Sequence, residues 1–265
     1  MRTLISICLW FFLSGSGLFA ADELGYKLLR VLDHDINDST QGLELNNDLL
    51  AESTGGFGRS RLRLKALDSG QVVAEYALPD HQFGEGLTRV GDQWIQLTWR
   101  SGIARVFDGH LRELRQWRYQ GEGWGLCFDG AHFLMSDGSA LLQKRDPKSF
   151  ELLEKVNVTF RGKPLTKLNE LECVDGWVLA NVWLSDVVVV IDPVTGTVFG
   201  YWDFSGLRMR FRKPASWNQR EDVLNGIAYK PDTGTYLLTG KRWPALFEVS
   251  LSIPAADKAA LLPHR

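Results

Sequence analysis

From Tyr26 to Leu251 the apolar positions come in short runs cut off by turn signals, the texture of strands rather than helices. Val72-Val73-Ala74-Glu75-Tyr76-Ala77-Leu78 alternates, Val187 to Ile191 is a continuous β-branched run, and Tyr236-Leu237-Leu238-Thr239 follows a turn at Asp232-Thr233-Gly234. Further turns stand at Asp68-Ser69-Gly70, Asp108-Gly109, Asp129-Gly130, Asp175-Gly176 and Asp192-Pro193-Val194-Thr195-Gly196. The one stretch that approaches a 3.6-residue apolar stripe is the short tail from Ala255 to Leu262.

A longer period overlies this pattern. A polar or aromatic residue, usually followed by Gly, precedes an apolar residue at Gln41-Gly42-Leu43, Glu85-Gly86-Leu87, Trp124-Gly125-Leu126, Asn169-Glu170-Leu171 and Asn225-Gly226-Ile227. The steps between these markers are 44, 39, 45 and 56 residues, the spacing of a repeat array. Fourteen residues after each marker stands Gly55, Trp99, Gly138, Trp183 or Thr239. That constant offset fits two antiparallel strands joined by a hairpin, with marker and landmark at the same end of one sheet. An all-β, five-bladed β-propeller with four-stranded blades is therefore expected. A β-sandwich offers no reason for the period. Pairing Tyr26–Leu32 with Leu246–Leu251 would close the ring and remove its free edges. The long fourth step holds Asp203 to Asp222, rich in Arg and Lys, and reads as an inserted loop over one face.

The first twenty residues stand apart. Arg2 gives a basic start, Leu4 to Leu13 is nearly unbroken apolar sequence, and Ala20-Ala21-Asp22 is a cleavage-like boundary. Residues 1–20 are expected to be a signal peptide and 21–265 a single propeller domain, periplasmic or secreted, with no membrane association once the signal is cut. Cys8 lies inside the apolar run, which argues against lipid attachment. Removing Arg2 leaves 29 basic against 32 acidic residues, a balance that suggests neither nucleic acid nor an anionic membrane as partner. A monomer is expected. Cys127 and Cys173 follow their markers by three and four positions, so they need not share a sheet face. Buried free thiols are expected, with a bridge between neighbouring blades as the alternative.

In a propeller the innermost strands surround the axis, so the markers converge on one mouth. That gathers Gln41, Glu85, Trp124, Asn169 and Asn225, with Trp99, Trp183 and Lys241 beside them. Glu85 is the sole acid among the markers, and indole walls would raise its pKa toward that of a general acid/base. Alternatively it hydrogen-bonds backbone at a blade junction. Gln41, Asn169 and Asn225 either orient an amide or carbonyl, or cap strand ends. The tryptophans either wall a pocket or pack blades. The five histidines are scattered, without ligand spacing, so no metal ligand is assigned and no cofactor is implied.

The chain resembles the plant-type and bacterial glutaminyl-peptide cyclotransferases. The resemblance rests on Thr40-Gln-Gly-Leu-Glu, Phe83-Gly-Glu-Gly-Leu-Thr, Leu97-Thr-Trp, Gly121-Glu-Gly-Trp-Gly-Leu, Leu168-Asn-Glu-Leu-Glu, Ala180-Asn-Val-Trp, Val223-Leu-Asn-Gly-Ile-Ala-Tyr and Thr239-Gly-Lys-Arg-Trp-Pro, in the family's order. It implies a five-bladed propeller that converts the N-terminal glutamine of a peptide or protein to pyroglutamate with loss of ammonia, without a catalytic metal. By motif, Glu85 is implied as the proton-transfer carboxylate and Asn169 and Lys241 as its polar partners. Gln41, Phe83, Trp99, Trp124 and Trp183 are implied as pocket residues. One departure is Ser39, where members often carry Phe, which loosens one pocket wall. The rival readings are a non-catalytic propeller that binds peptide or glycan at the same mouth, and a calcium-dependent lactonase-like propeller. The second would need several axial carboxylates, and the markers offer one.

Overall fold

A computed structural model describes residues 21–252. The leader and the Ala255–Leu262 stripe lie outside these residues. Five antiparallel sheets are arranged in chain order as blades. The first runs Thr40–Asn46, Leu49–Thr54, Arg61–Ala66 and Val72–Ala77; the second Gly84–Val90, Gln93–Thr98, Ile103–Phe107 and Glu113–Arg118. The third runs Leu126–Phe128, Phe133–Ser136, Leu141–Arg145 and Leu152–Asn157, and the fourth Leu168–Val174, Trp177–Val182, Val187–Ile191 and Val198–Asp203. The fifth has Leu224–Lys230, Thr235–Gly240 and Ala245–Leu251, and takes its outermost strand, Tyr26–Asp33, from the start of the described chain. The expected closure is thus the observed one. Asp22–Glu23 adds a short parallel strand to the outside of the fourth blade.

Each blade presents apolar side chains on both faces, because both faces meet a neighbour. The core is accordingly divided into clusters that each join two consecutive blades. Leu62, Leu64 and Ala51 of the first blade meet Leu87, Trp94 and Phe107 of the second. The fourth and fifth meet through Val188, Val190, Trp202, Leu238 and Phe247. Burial of such side chains, worth about 1.5–3 kcal/mol each, is what holds a blade in the ring.

The cysteines correct the expectation of free thiols: Cys127 and Cys173 form a disulfide, with Cα atoms 5.4 Å apart. Cys127 pairs with Leu134 and Cys173 with Val178, and all four lie in the cluster between the third and fourth blades. The one-residue offset from the markers puts the two cysteines on opposite faces of their own sheets. Neighbouring blades meet through opposite faces, so this offset is what the bridge requires.

The segment Asp203–Asp222 is the inserted loop. It opens with a 3₁₀ turn, Ser205–Met209, and packs Phe211 against Trp243 and Trp217. Arg208 pairs with Asp186, and Arg242 with Asp222, which ties the loop to the ends of the fourth and fifth blades.

Candidate active site

The markers are β-bulges. In the first blade Thr40 pairs with Thr54 and Gly42 with Ser53, leaving Gln41 as an extra residue. The same two-against-one arrangement sets Glu85-Gly86 opposite Leu97, Asn169-Glu170 opposite Asn181 and Asn225-Gly226 opposite Thr239. In the third blade Trp124 N–H donates to the Ser136 carbonyl, and Ser136 N–H to that of Gly125. A bulge turns one side chain out of the pleat, a recurrent device beside active sites. Here it aims the variable residue of each repeat at the mouth.

The glycine of the frame is a packing requirement. A Cβ on Gly42 would lie 2.5 Å from the Leu87 nitrogen, one on Gly86 2.6 Å from the Trp124 oxygen, and one on Gly125 2.0 Å from the Asn169 oxygen. At these three bulges one inner strand touches the next, and only glycine fits. The fourth blade has Glu170 instead. Its buried carboxylate accepts hydrogen bonds from Leu43 N–H of the first blade (3.2 Å) and Ile227 N–H of the fifth (3.0 Å).

The register also corrects the fifth landmark. Gly55, Trp99 and Trp183 donate backbone N–H groups to Ser39, Phe83 and Lys167, each two residues before its marker. In the fifth blade that bond is made by Lys241 to Val223, whereas Thr239 lies opposite the bulge itself. The hairpin through Asp232-Thr233-Gly234 is two residues longer than its counterparts, so the offset there is 16 rather than 14.

Together these positions line a cavity of about 330 Å³. Gln41, Phe83, Glu85, Trp99, Trp124, Asn169, Trp183 and Lys241 all border it, and so do Ser39, Glu221, Asp222 and Arg242. Asn225 does not: it is buried below and donates to the Thr40 carbonyl at 2.9 Å. Phe83 meets Trp99 edge-on with centroids 5.7 Å apart, and Trp124 meets Trp183 at 5.3 Å, so the rings form two braced walls. Two landmark glycines leave room for these rings. A Cβ on Gly55 would sit 2.1 Å from the Phe83 ring, and one on Gly138 2.6 Å from that of Trp124.

Glu85 is 6 % exposed, and among the described residues its carboxylate takes no hydrogen bond. Burial pushes its pKa up to about 8; Lys241 pulls it down and Glu122 adds to the rise. Burial likewise holds the Lys241 ammonium below its usual range, against the charges of Glu85 and Glu221. The buried Gln41 side-chain oxygen has no partner among the described residues and offers an acceptor at the cavity. The other acids are differently placed: Asp222 is committed to Arg242, and Glu221 is exposed at the rim. Such a pocket can hold a small polar group against aromatic walls and move a proton at its floor.

Three ionisable groups that cluster elsewhere, His34, Asp38 and Glu52, surround Lys65, whose ammonium bonds Asp38 at 2.5 Å and Glu52 at 2.6 Å. An internal cation thus already occupies the group that most nearly offers metal-ligand geometry among the described residues.

The loop residues Glu221 and Asp222 and the rim residue Arg242 carry no repeat signature and were not expected in the site. The inserted length of the fourth step was the only signal for the two loop residues, and the only one for Arg242 was its place beside Lys241 in the Thr239-Gly-Lys-Arg-Trp-Pro stretch.

The family model described as glutamine cyclotransferase matches residues 4–251. A glutaminyl-peptide cyclotransferase of Arabidopsis thaliana is 34% identical over 247 residues, covering 92% of this chain and 77% of the plant protein. The crystal structure of Myxococcus xanthus glutaminyl cyclase superposes with a TM-score of 0.81 at 39% identity, over 88% of this chain and 98% of that one.

Proposed function

The chain belongs to the glutamine cyclotransferase family and is a glutaminyl-peptide cyclotransferase, and we propose that Glu85 carries the proton for its reaction. The observation that supports this is a single buried carboxylate, free of protein hydrogen bonds, on an aromatic cavity of side-chain size.

The substrate's α-amine attacks its own side-chain γ-carboxamide carbon. The C–N bond of the lactam forms, and the amine's proton passes to Glu85. The oxyanion that develops is stabilised by the Asn169 amide and the Lys241 ammonium. Glu85 then returns the proton to the amide nitrogen, the old C–N bond breaks, and ammonia leaves. Gln41 accepts an N–H from the substrate. Phe83, Trp99, Trp124 and Trp183 hold the side chain curled toward its own terminus, the larger lever in an intramolecular reaction. No metal is assigned a part, since Lys241 supplies positive charge beside the reacting oxygen.

The leader sequence, and a disulfide of the kind that persists in oxidising compartments, support action outside the cytoplasm, in the periplasm or beyond. Because each blade's apolar faces are covered by its neighbours, we place the enzyme as a monomer acting on exported peptides.

The test is ammonia release from a glutaminyl dipeptide, with and without chelator. Turnover should survive chelation, and Glu85→Gln should lower kcat by at least a hundredfold with an unchanged melting profile. Near-normal turnover in that variant would remove Glu85 from the mechanism.

A further inference from the structure

The loop from Tyr119 to Trp124 joins the second blade to the third and passes behind the cavity wall. Glu122 stands in it between two glycines. Gly121 has φ +83°, and a Cβ on Gly123 would lie 2.4 Å from the Tyr119 hydroxyl, so the backbone turns tightly here. The carboxylate so placed does not border the cavity. One oxygen, Oε2, accepts the indole N–H of Trp99 at 2.6 Å and that of Trp124 at 3.0 Å. The other, Oε1, accepts from Arg100 Nε at 2.8 Å, and the Arg100 guanidinium lies over the Trp99 ring at 3.9 Å.

We propose that Glu122 is the positioning residue of this pocket, setting the planes of Trp99 and Trp124 with one carboxylate and thereby the shape into which the substrate side chain folds. An indole has a single N–H, so its hydrogen bond fixes the ring's rotation about the side-chain axis. Trp99 extends from the second blade and Trp124 from the third, and each braces a further ring: Phe83 in one case, Trp183 in the other. The aromatic arc would otherwise be two independent pairs; Glu122 joins them across the blade boundary. Glu122 also brings a negative charge behind the wall, which adds to Glu85's hold on its proton. The inference rests on the cyclotransferase reading of the same cavity.

The experiment compares wild type with Glu122→Gln, which keeps size and removes charge, using ¹⁵N indole spectra and ammonia release from glutaminyl-alanine across pH. The Trp99 and Trp124 indole N–H signals, assigned through Trp99→Phe and Trp124→Phe, should both move upfield while those of the other tryptophans hold. kcat/KM should fall about ten- to a hundredfold, the scale of a misplaced reacting group. Its acid limb should move to lower pH, which a purely structural loss would not do. Trp124→Phe should cost less in the Glu122→Gln background than in wild type, as coupled groups require. Unmoved indole signals, or moved signals with kcat/KM within twofold and an unshifted limb, overturn the proposal. If Glu122→Gln does not fold, Arg100→Met, which releases the carboxylate's other oxygen, should move the same two indole signals and lower kcat/KM to a smaller extent, with the acid limb moving to higher pH because Glu122 loses its neutralising cation; no change there overturns it. A wild type without ammonia release sinks the cyclotransferase reading instead; the indole shifts then still decide whether Glu122 sets the two rings.

Discussion

At neutral pH the cyclisation needs one proton shared between the substrate's terminal amine and a protein group, and Glu85 is matched to that task. A peptide α-amine titrates near about 7.7–8.0, and burial brings Glu85 to about 8. Neither partner holds the proton strongly against the other, so transfer in both directions is nearly level. kcat/KM should therefore be bell-shaped, with its acid limb rising through about pH 8. It falls in acid as both groups become protonated, and in alkali as the Lys241 ammonium, held below its usual range by burial, loses the proton with which it stabilises the oxyanion. Lys241 is the cation that limits the rise in Glu85's pKa, so Lys241→Met should move the acid limb to higher pH, besides lowering the rate. A limb that stays in place would show that the limb does not report Glu85. Residues such as Glu85 and Asn169 were legible because they repeat in frame. Glu122 was not, although its loop was in view, because nothing in a glycine-rich string tells which indoles a carboxylate between them will bond. Asp222 and Arg242 were hidden for a related reason: Asp222 ends an insertion with no counterpart in the other blades, and it meets Arg242 only once the first two strands of the fifth blade have formed.

At the level of single elements, a bulge, a glycine and a hairpin length determine where each side chain of the cavity points. The repeated glycine was visible in the sequence as a frame, but its cause, the contact of one inner strand with the next, needed the register. The hairpin length was misread once, and Lys241 rather than Thr239 proved to be the fifth member of the ring of landmarks. Gly138 makes the dependence testable. It has φ +79° and faces the Trp124 ring, so Gly138→Ala must displace either the backbone or the indole. Loss of about tenfold or more in kcat/KM is expected, with a smaller change in melting temperature than in activity. Activity within twofold of wild type would mean that the ring has slack. The disulfide belongs to this scale too, because it joins the inner strands of the third and fourth blades across 46 residues. Cys127→Ser with Cys173→Ser should lower unfolding free energy by about 2–4 kcal/mol, read from the urea midpoint and m of each protein together. Counting from the markers hid the bridge, since the rule that adjacent blades present opposite faces belongs to the assembled ring.

For the molecule as a whole, the axis is lined by carboxylates that the reaction does not use. Burial raises Glu170 and Glu172 well above their usual range and Glu44 to about 7. The folded state thus keeps protons that the unfolded chain, titrating near 4.5, gives up. Their contribution is fully present below about pH 4.5 and is lost as pH rises through each group's raised folded value, about 7 for Glu44. Glu52 acts in the opposite sense, held below its usual range by His34 and Lys65, so the net curve has terms of both signs. Glu172→Gln isolates one of them: relative to wild type its urea midpoint should be higher at pH 7 than at pH 4.5, and a constant difference would refute the assignment. The five-bladed plan was readable from the period alone, because a ring repeats its interfaces; the carboxylates were not, because they differ from blade to blade. The seam of that ring has a further consequence, in time rather than space. Tyr26–Asp33 pairs with Ala245–Leu251, and Arg30 reaches Glu248 across 218 residues of chain. No partial chain that lacks the last of these strands can complete the fifth blade, and so long a loop must close before its contacts reward it. The polypeptide therefore stays unfinished until nearly all of it has emerged, a delay that would suit the export proposed for it, since an open chain threads a narrow exit and a closed ring does not.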